Sequence, residues 1–370
     1  MKRFLIPAVL AFAVGAVVLA VVLVNSSSDG GVSPEAGGSG GTTAPAAPGA
    51  STEPKALDDN LSVSTSGWKT DFKKFTVSLS EFAGGGPGKD GIPSIDAPKF
   101  TTVKEADSFL EAREPVVEFV GADGEARAYP LQILIWHEIV NDMVGGVPVT
   151  VTFCPLCNTT IVFDRRLGGR VLDFGVSGNL RNSDLVMYDR QTETWWQQFG
   201  GVGVVGALVG KELTKLPARI VAWDDFKREH ATGKVLSRDT GFGRSYGQNP
   251  YTGYDSIDSP PFFAVKGGDD KRLQPKERVV FIERGKERIV VPFAVLAEKK
   301  KIEVKIAGER LEVTWKTGTR SALDAGDIAS AKDVGTATVR SADTGELVVF
   351  DLPFWFSVAA FASDAKIITS

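Results

Sequence analysis

The sequence predicts an α+β protein rich in strand, made of two pseudo-repeated halves behind an N-terminal transmembrane helix. Three observations carry that prediction. Runs of β-branched and aromatic residues, such as Val149 to Phe153 and Thr159 to Phe163, recur between Gly, Pro and Asn, which is the pattern of short strands joined by turns. Helical spacing is confined to brief stretches. Compared with itself, the chain repeats at a constant offset of 162 residues without gaps: Val117, Phe119, Glu125, Pro130, Leu134, Gly146, Val151 and Thr152 recur as Val279, Phe281, Glu287, Pro292, Leu296, Gly308, Val313 and Thr314.

From the beginning, Phe4 to Val24 is a run of 21 residues without a charge, preceded by Lys2 and Arg3. As a helix it spans roughly 30 Å, one bilayer crossing. Residues 1–24 therefore read as an anchor, or as a signal segment cleaved at the weaker site Val18-Leu-Ala20. Basic residues ahead of the run put the rest of the chain outside, by the positive-inside rule. The expectation is a single-pass cell-membrane protein with an extracytoplasmic C-terminal domain, or a secreted protein if the signal is removed. Residues 25–66 are Gly-, Ser- and Pro-rich, too poor in apolar side chains to fold, and read as a linker. Residues 67–265 form the first half of the globular part and residues 266–370 a second half without cysteine. A net charge of −4 with 43% hydrophobic residues fits an ordinary globular surface and excludes a nucleic-acid partner, which would need a basic patch.

Within the first half, Phe72 to Phe82 alternates as a strand, residues 84–100 are a Gly- and Pro-punctuated loop, and Lys104 to Arg113 has one apolar helical face. Val116 to Val120 and Ala126 to Tyr129 flank a turn as a hairpin. Pro130 opens a helix over Leu131 to Val140 that carries His137. Cys154-Pro155-Leu156-Cys157 then turns between two strands, and Asn158 suits a left-handed position just beyond it. Between Phe174 and Phe199, Arg181, Asn182, Asp184, Asp189, Arg190 and Trp196 crowd polar groups beside aromatics. They are either a buried network under the cysteine turn or a substrate or partner groove. Tyr246 to Asp255 reads as a turn-rich loop.

Cys154 and Cys157 are the chain's two cysteines, and His137 and His230 its two histidines. A Cys-x-x-Cys turn supports three readings. In the first, one sulfur attacks as thiolate, the other resolves the mixed disulfide, and His137 tunes or shuttles the proton. In the second, Cys154, Cys157 and His137 hold Cu(I) or Zn(II) for delivery to a metal-accepting protein, although a closed zinc site would need a second knuckle. The third is a scaffold with a fixed disulfide. His137 itself can equally be a buried histidine bonded to backbone. No P-loop or H-E-x-x-H motif is present.

The stretches AYPLQILIWHEIVND, VTFCPLCNTTIVFDR, FGVSGNLRNSDLVMYDRQTETWWQQ and YGQNPYTGYD, in that order, resemble the family known as domain of unknown function 3179, from about Lys89 onwards. The resemblance implies no established activity. Some members of that family resemble selenoproteins, with selenocysteine within the equivalent of CPLC, and this implies redox chemistry at Cys154 and Cys157.

Overall fold

A computed structural model describes residues 57–369. The predicted anchor and most of the predicted linker lie outside the described residues. No helix among the described residues is long and apolar enough to cross a membrane.

The chain is strand-rich. Its strands form five sheets of three to five strands in a propeller-like arrangement, with one extra hairpin, Arg166–Leu167 and Arg170–Val171. The helices are only four to seven residues long. Two sheets contain the predicted elements of the first half. Pro115–Val120 pairs with Ala126–Pro130, the helix Leu131–His137 follows, and Ile139–Val144 pairs with Val147–Cys154. The same order returns as Val279–Arg284 with Glu287–Pro292, helix Phe293–Lys299, and Lys301–Ile306 with Glu309–Lys316. Even the way each helix stops is repeated. Glu138 (φ 58°) and Lys300 (φ 64°) take left-handed backbone, and their carbonyls accept from Phe153 and Trp315, each at 2.8 Å. That backbone also ends the first helix at His137, so Ile139 and Val140 belong to the next strand rather than to the predicted helix.

The recurrence reaches further than the sequence offset reveals. Helices Trp223–Glu229 and Trp355–Phe361 begin alike, with Trp223 N–H donating to Glu114 and Trp355 N–H to Glu277, both at 2.9 Å. Each leads to a short strand parallel to the hairpin, Lys234–Leu236 beside Ala126–Pro130 and Lys366–Ile367 beside Glu287–Pro292. The spacing changes because the first half threads four of the five strands of a sheet, running from Phe174 to Val205, through the interval.

Three local expectations are corrected. The offset of 162 does not hold in the leading strands: Val117 pairs with Tyr129, whereas Val291, the counterpart of Tyr129, pairs with Val280. Five residues close the first hairpin and two close the second, and the one-residue slip keeps Val117 and Val280 in the main core. Phe72 to Phe82 is mostly irregular, with strand beginning only at Phe82. Its side chains are held by the edges of Trp195, 5.2 Å from both Phe72 and Phe82, rather than by a ladder. Helix over Lys104 to Arg113 shrinks to Val103–Ala106, capped by Thr102 and Glu105 in a capping box.

The loop at 85–90 crosses the strand Phe174–Arg181 where that strand bulges, between Val176 and Leu180. Gly178 sits in the bulge with φ +78°, and a Cβ there would lie 2.1 Å from the Pro87 carbonyl oxygen. Gly178→Ala is expected to cost roughly 2–4 kcal/mol, from left-handed strain plus overpacking. Gly146→Ala, at φ +74° with nothing near, should cost about 1 kcal/mol, from strain alone. Urea unfolding of both variants measures the difference, and equal losses would remove the steric account.

Candidate functional site

Strands Val147–Cys154 and Thr159–Asp164 pair up to Cys154 opposite Thr159, so the four residues between close a tight turn. Asn158 takes φ 57°, as its residue type allows. The turn is clamped from the other half of the chain. Asn158 Nδ2 donates to the Leu352 carbonyl at 2.7 Å, Phe354 N–H to the Cys157 carbonyl at 2.9 Å, and Thr160 N–H to Asp351 Oδ1 at 2.9 Å.

Both cysteines are free thiols and buried. Facing them is Asp184, brought there by a two-residue hairpin turn. Asn182 (φ 52°) and Ser183 (φ 60°) are both left-handed, the geometry that matches strand twist, and Arg181 pairs with Asp184 across the turn. The Cys157 thiol donates to Asp184 Oδ1 at 2.8 Å. Asp184 also accepts from Phe199 N–H at 2.9 Å and from Gln197 Nε2. Ligand atoms of Cys154, Cys157 and Asp184 all lie within 4.8 Å of one another. The adjoining polar residues are fixed in turn: Thr159 donates to Gln198 at 2.6 Å and Gln198 to Thr152 at 2.9 Å.

The electrostatics are those of acids crowded away from water. Burial pushes Asp184 up to about 6, partly offset by its hydrogen bonds. Glu138 is pushed up to about 8 by burial and by the Asp184 charge, and Asp351 to about 7 by burial. Burial raises the Cys154 thiol, and raises Cys157 well above its ordinary value. Glu138 is 7% exposed and its carboxyl makes no hydrogen bond among the described residues. Tyr251 and Tyr254, from the turn-rich loop, stand close enough for a Cys154 charge to act on both phenols.

His137 is not the third member of this cluster. Its Nδ1 is 2.7 Å from the Pro93 carbonyl and its Nε2 is 2.7 Å from the Tyr246 hydroxyl, so both ring nitrogens are engaged. The helix does pack on the cysteine strand, but it is the buried Glu138, at the left-handed turn that ends it, whose charge acts on the Cys154 thiol. His230 belongs to a second convergence with Glu118 and Glu229, where Arg219 already bridges the two carboxylates.

The six residues read as a network or groove divide. Asp184 reaches the cysteines. Asp189 accepts from Trp196 Nε1 at 2.9 Å and holds a turn through Thr192, both residues being buried in the sheet. Asn182 accepts from Lys266 N–H at 2.9 Å. Arg190 lies at the surface, paired with Asp90 and Asp96. Arg181 pairs with Glu81 at 2.6 Å and borders a cavity of about 810 Å³. The buried-network reading accordingly describes Asn182, Asp184, Asp189 and Trp196. Glu138, Asp351, Tyr251 and Tyr254 were missed as site residues. In the sequence Glu138 has no signal beyond its place beside His137, and Asp351 has no local signal.

Taken together, fold and site define a strand-rich protein with a buried thiol–carboxylate centre. The chain belongs to the family described as "Protein of unknown function (DUF3179)", which it matches over residues 89–365. No curated protein and no solved structure matches it.

Proposed function

We propose that this chain binds a thiophilic divalent metal ion, Zn(II), through Cys154, Cys157 and Asp184. One observation carries the reading: three buried acids converge within 4.8 Å, and no Lys, Arg or His side chain is bonded to any of them among the described residues. Buried charge of one sign is costly unless neutralised, either by protons or by a cation. A metal would displace the proton that Cys157 now shares with Asp184, giving two thiolates and a carboxylate. The oxygen donor and the accumulated negative charge favour Zn(II) over Cu(I), which prefers sulfur alone. Three protein donors leave a fourth position for water or substrate, the pattern of catalytic rather than structural zinc.

The dithiol–disulfide cycle draws support from two free thiols in one turn. Against it stand the burial of both sulfurs and their raised pKa values, the reverse of what an attacking thiolate needs. Extracytoplasmic, membrane-tethered placement, with a redox or metal-accepting protein as partner, remains a proposal that rests on the N-terminal apolar run.

The test is metal stoichiometry of reduced protein after equilibration with Zn(II), or with Cu(I), and gel filtration. Wild type and His137→Ala are expected to retain stoichiometric zinc. Cys157→Ser and Asp184→Asn are expected to bind it at least about tenfold more weakly. Protein that stays free of both metals, or a loss confined to His137→Ala, would overturn the reading.

A further inference from the structure

The cavity of about 810 Å³ lies within the range of small-molecule sites and shares Thr160, Gln197, Phe199 and Asp351 with the surroundings of the cysteine turn. Part of its lining is aromatic: Phe199 packs 5.3 Å from Phe281 and stacks 5.0 Å from Phe361. Part is cationic. Arg181, Lys215, Arg284 and Arg288 border it against the acids Glu212, Glu283 and Asp351. Of those acids, Glu283 is shared between Lys215 at 3.3 Å and Arg288 at 2.6 Å. Asp351 accepts at Oδ1 from the N–H groups of Thr160 and Leu352, while its Oδ2 is buried without a hydrogen-bond partner among the described residues. Arg181 lies 5.4 Å from the Phe361 ring, and its Nε is buried without a hydrogen-bond partner among the described residues. Each cation has an acid partner, Arg181 with Glu81, Lys215 with Glu283, Arg284 with Glu309 and Arg288 with Asp364, so a ligand anion would share a cation with a protein carboxylate. An aromatic wall beside such groups suits a ligand with an apolar body and a negative end.

We propose that this cavity is the binding chamber of an organic anion with an apolar body, its charge met by Arg181 and Lys215. The chamber is wired to the cysteine centre. Arg181 Nη1 donates to Gln197 Oε1 at 3.1 Å, Gln197 Nε2 donates to Asp184, and Asp184 accepts from the Cys157 thiol. The proposal does not rest on the metal reading, because every residue it uses to hold the ligand lies outside the donor set.

Calorimetric titration of the protein with 1-naphthylacetate, and with the neutral 1-naphthylacetamide, tests it. Saturable one-to-one binding of the acid is expected, weakened at least about tenfold in Lys215→Gln and in Arg181→Gln. The amide should bind at least about tenfold more weakly than the acid. Arg181 is also paired with Glu81, so if its variant fails to fold, Lys215→Gln decides. The Cys154→Ser variant should bind the acid like wild type, which keeps this outcome separate from any result on metal. No binding at millimolar acid, equal binding of the amide, or acid binding untouched by Lys215→Gln would each overturn the proposal.

Discussion

Metal-free protein is expected to lose several kcal/mol of stability as the pH rises from about 5 to about 8. The carboxyls of Glu138, Asp184 and Asp351 are raised in the folded protein to about 8, 6 and 7, from ordinary values of 4.5, 3.8 and 3.8. Between the ordinary and the raised value the unfolded chain has released its proton while the folded chain still holds it. The folded state therefore binds more protons, and unfolding is favoured by removing them from solution. The penalty is absent below about pH 4, grows through the window, and levels off above the raised values. Each unit of upward shift is worth about 1.4 kcal/mol, and because the groups interact the sum is not additive. Urea unfolding in the presence of a chelator, at several pH values, measures it. Glu138→Gln should flatten the curve, since an amide cannot ionise. Zinc added above the chelator should flatten it as well, because a bound cation stabilises the ionised forms. A stability that climbs steadily across this window would refute the account of the buried acids.

Native protein is expected to react with iodoacetamide at Cys154 and Cys157 at least about a thousandfold more slowly than the urea-unfolded chain. Two effects multiply. Raised thiol pKa values cut the thiolate fraction about tenfold for each unit, and burial makes reaction wait for an opening of the turn. That opening must break the clamps from Asp351, Leu352 and Phe354. Mass spectrometry of timed, quenched samples reads the rate at each cysteine. Modification of either thiol at the rate of a free model thiol would reverse the ranking of metal binding over disulfide exchange.

Much of the local architecture was legible because it is written in neighbouring residues. The strands either side of Cys154-Pro-Leu-Cys157, the left-handed Asn158, and the repeated hairpin, helix and hairpin all follow from short-range patterns. What the sequence could not show depends on pairing between distant segments. Asp184 is 27 residues from Cys157 and stood among equally polar neighbours, of which Asp189 and Arg190 proved to serve a turn and a surface ion pair. His137 drew attention by its residue type, whereas Glu138 beside it is buried near enough for its charge to act on the Cys154 thiol, on a left-handed backbone that no propensity assigns to glutamate. The helices at Trp223 and Trp355 repeat in topology but not at the offset of 162, since four inserted strands change the spacing.

The clamp on the cysteine turn also bears on when the centre comes into being during synthesis. Asn158 and Thr160 are held by residues 194 and 191 positions further along. A nascent chain emerging N-terminus first contains both cysteines and Asp184 long before it contains Asp351, Leu352 or Phe354. Until that segment docks, the turn lacks these clamps and its thiols are open to oxidants or ions. Docking of the Asp351 to Phe354 stretch thus turns an accessible pair of thiols into a sealed one, so the centre is completed only once that distant segment has been made.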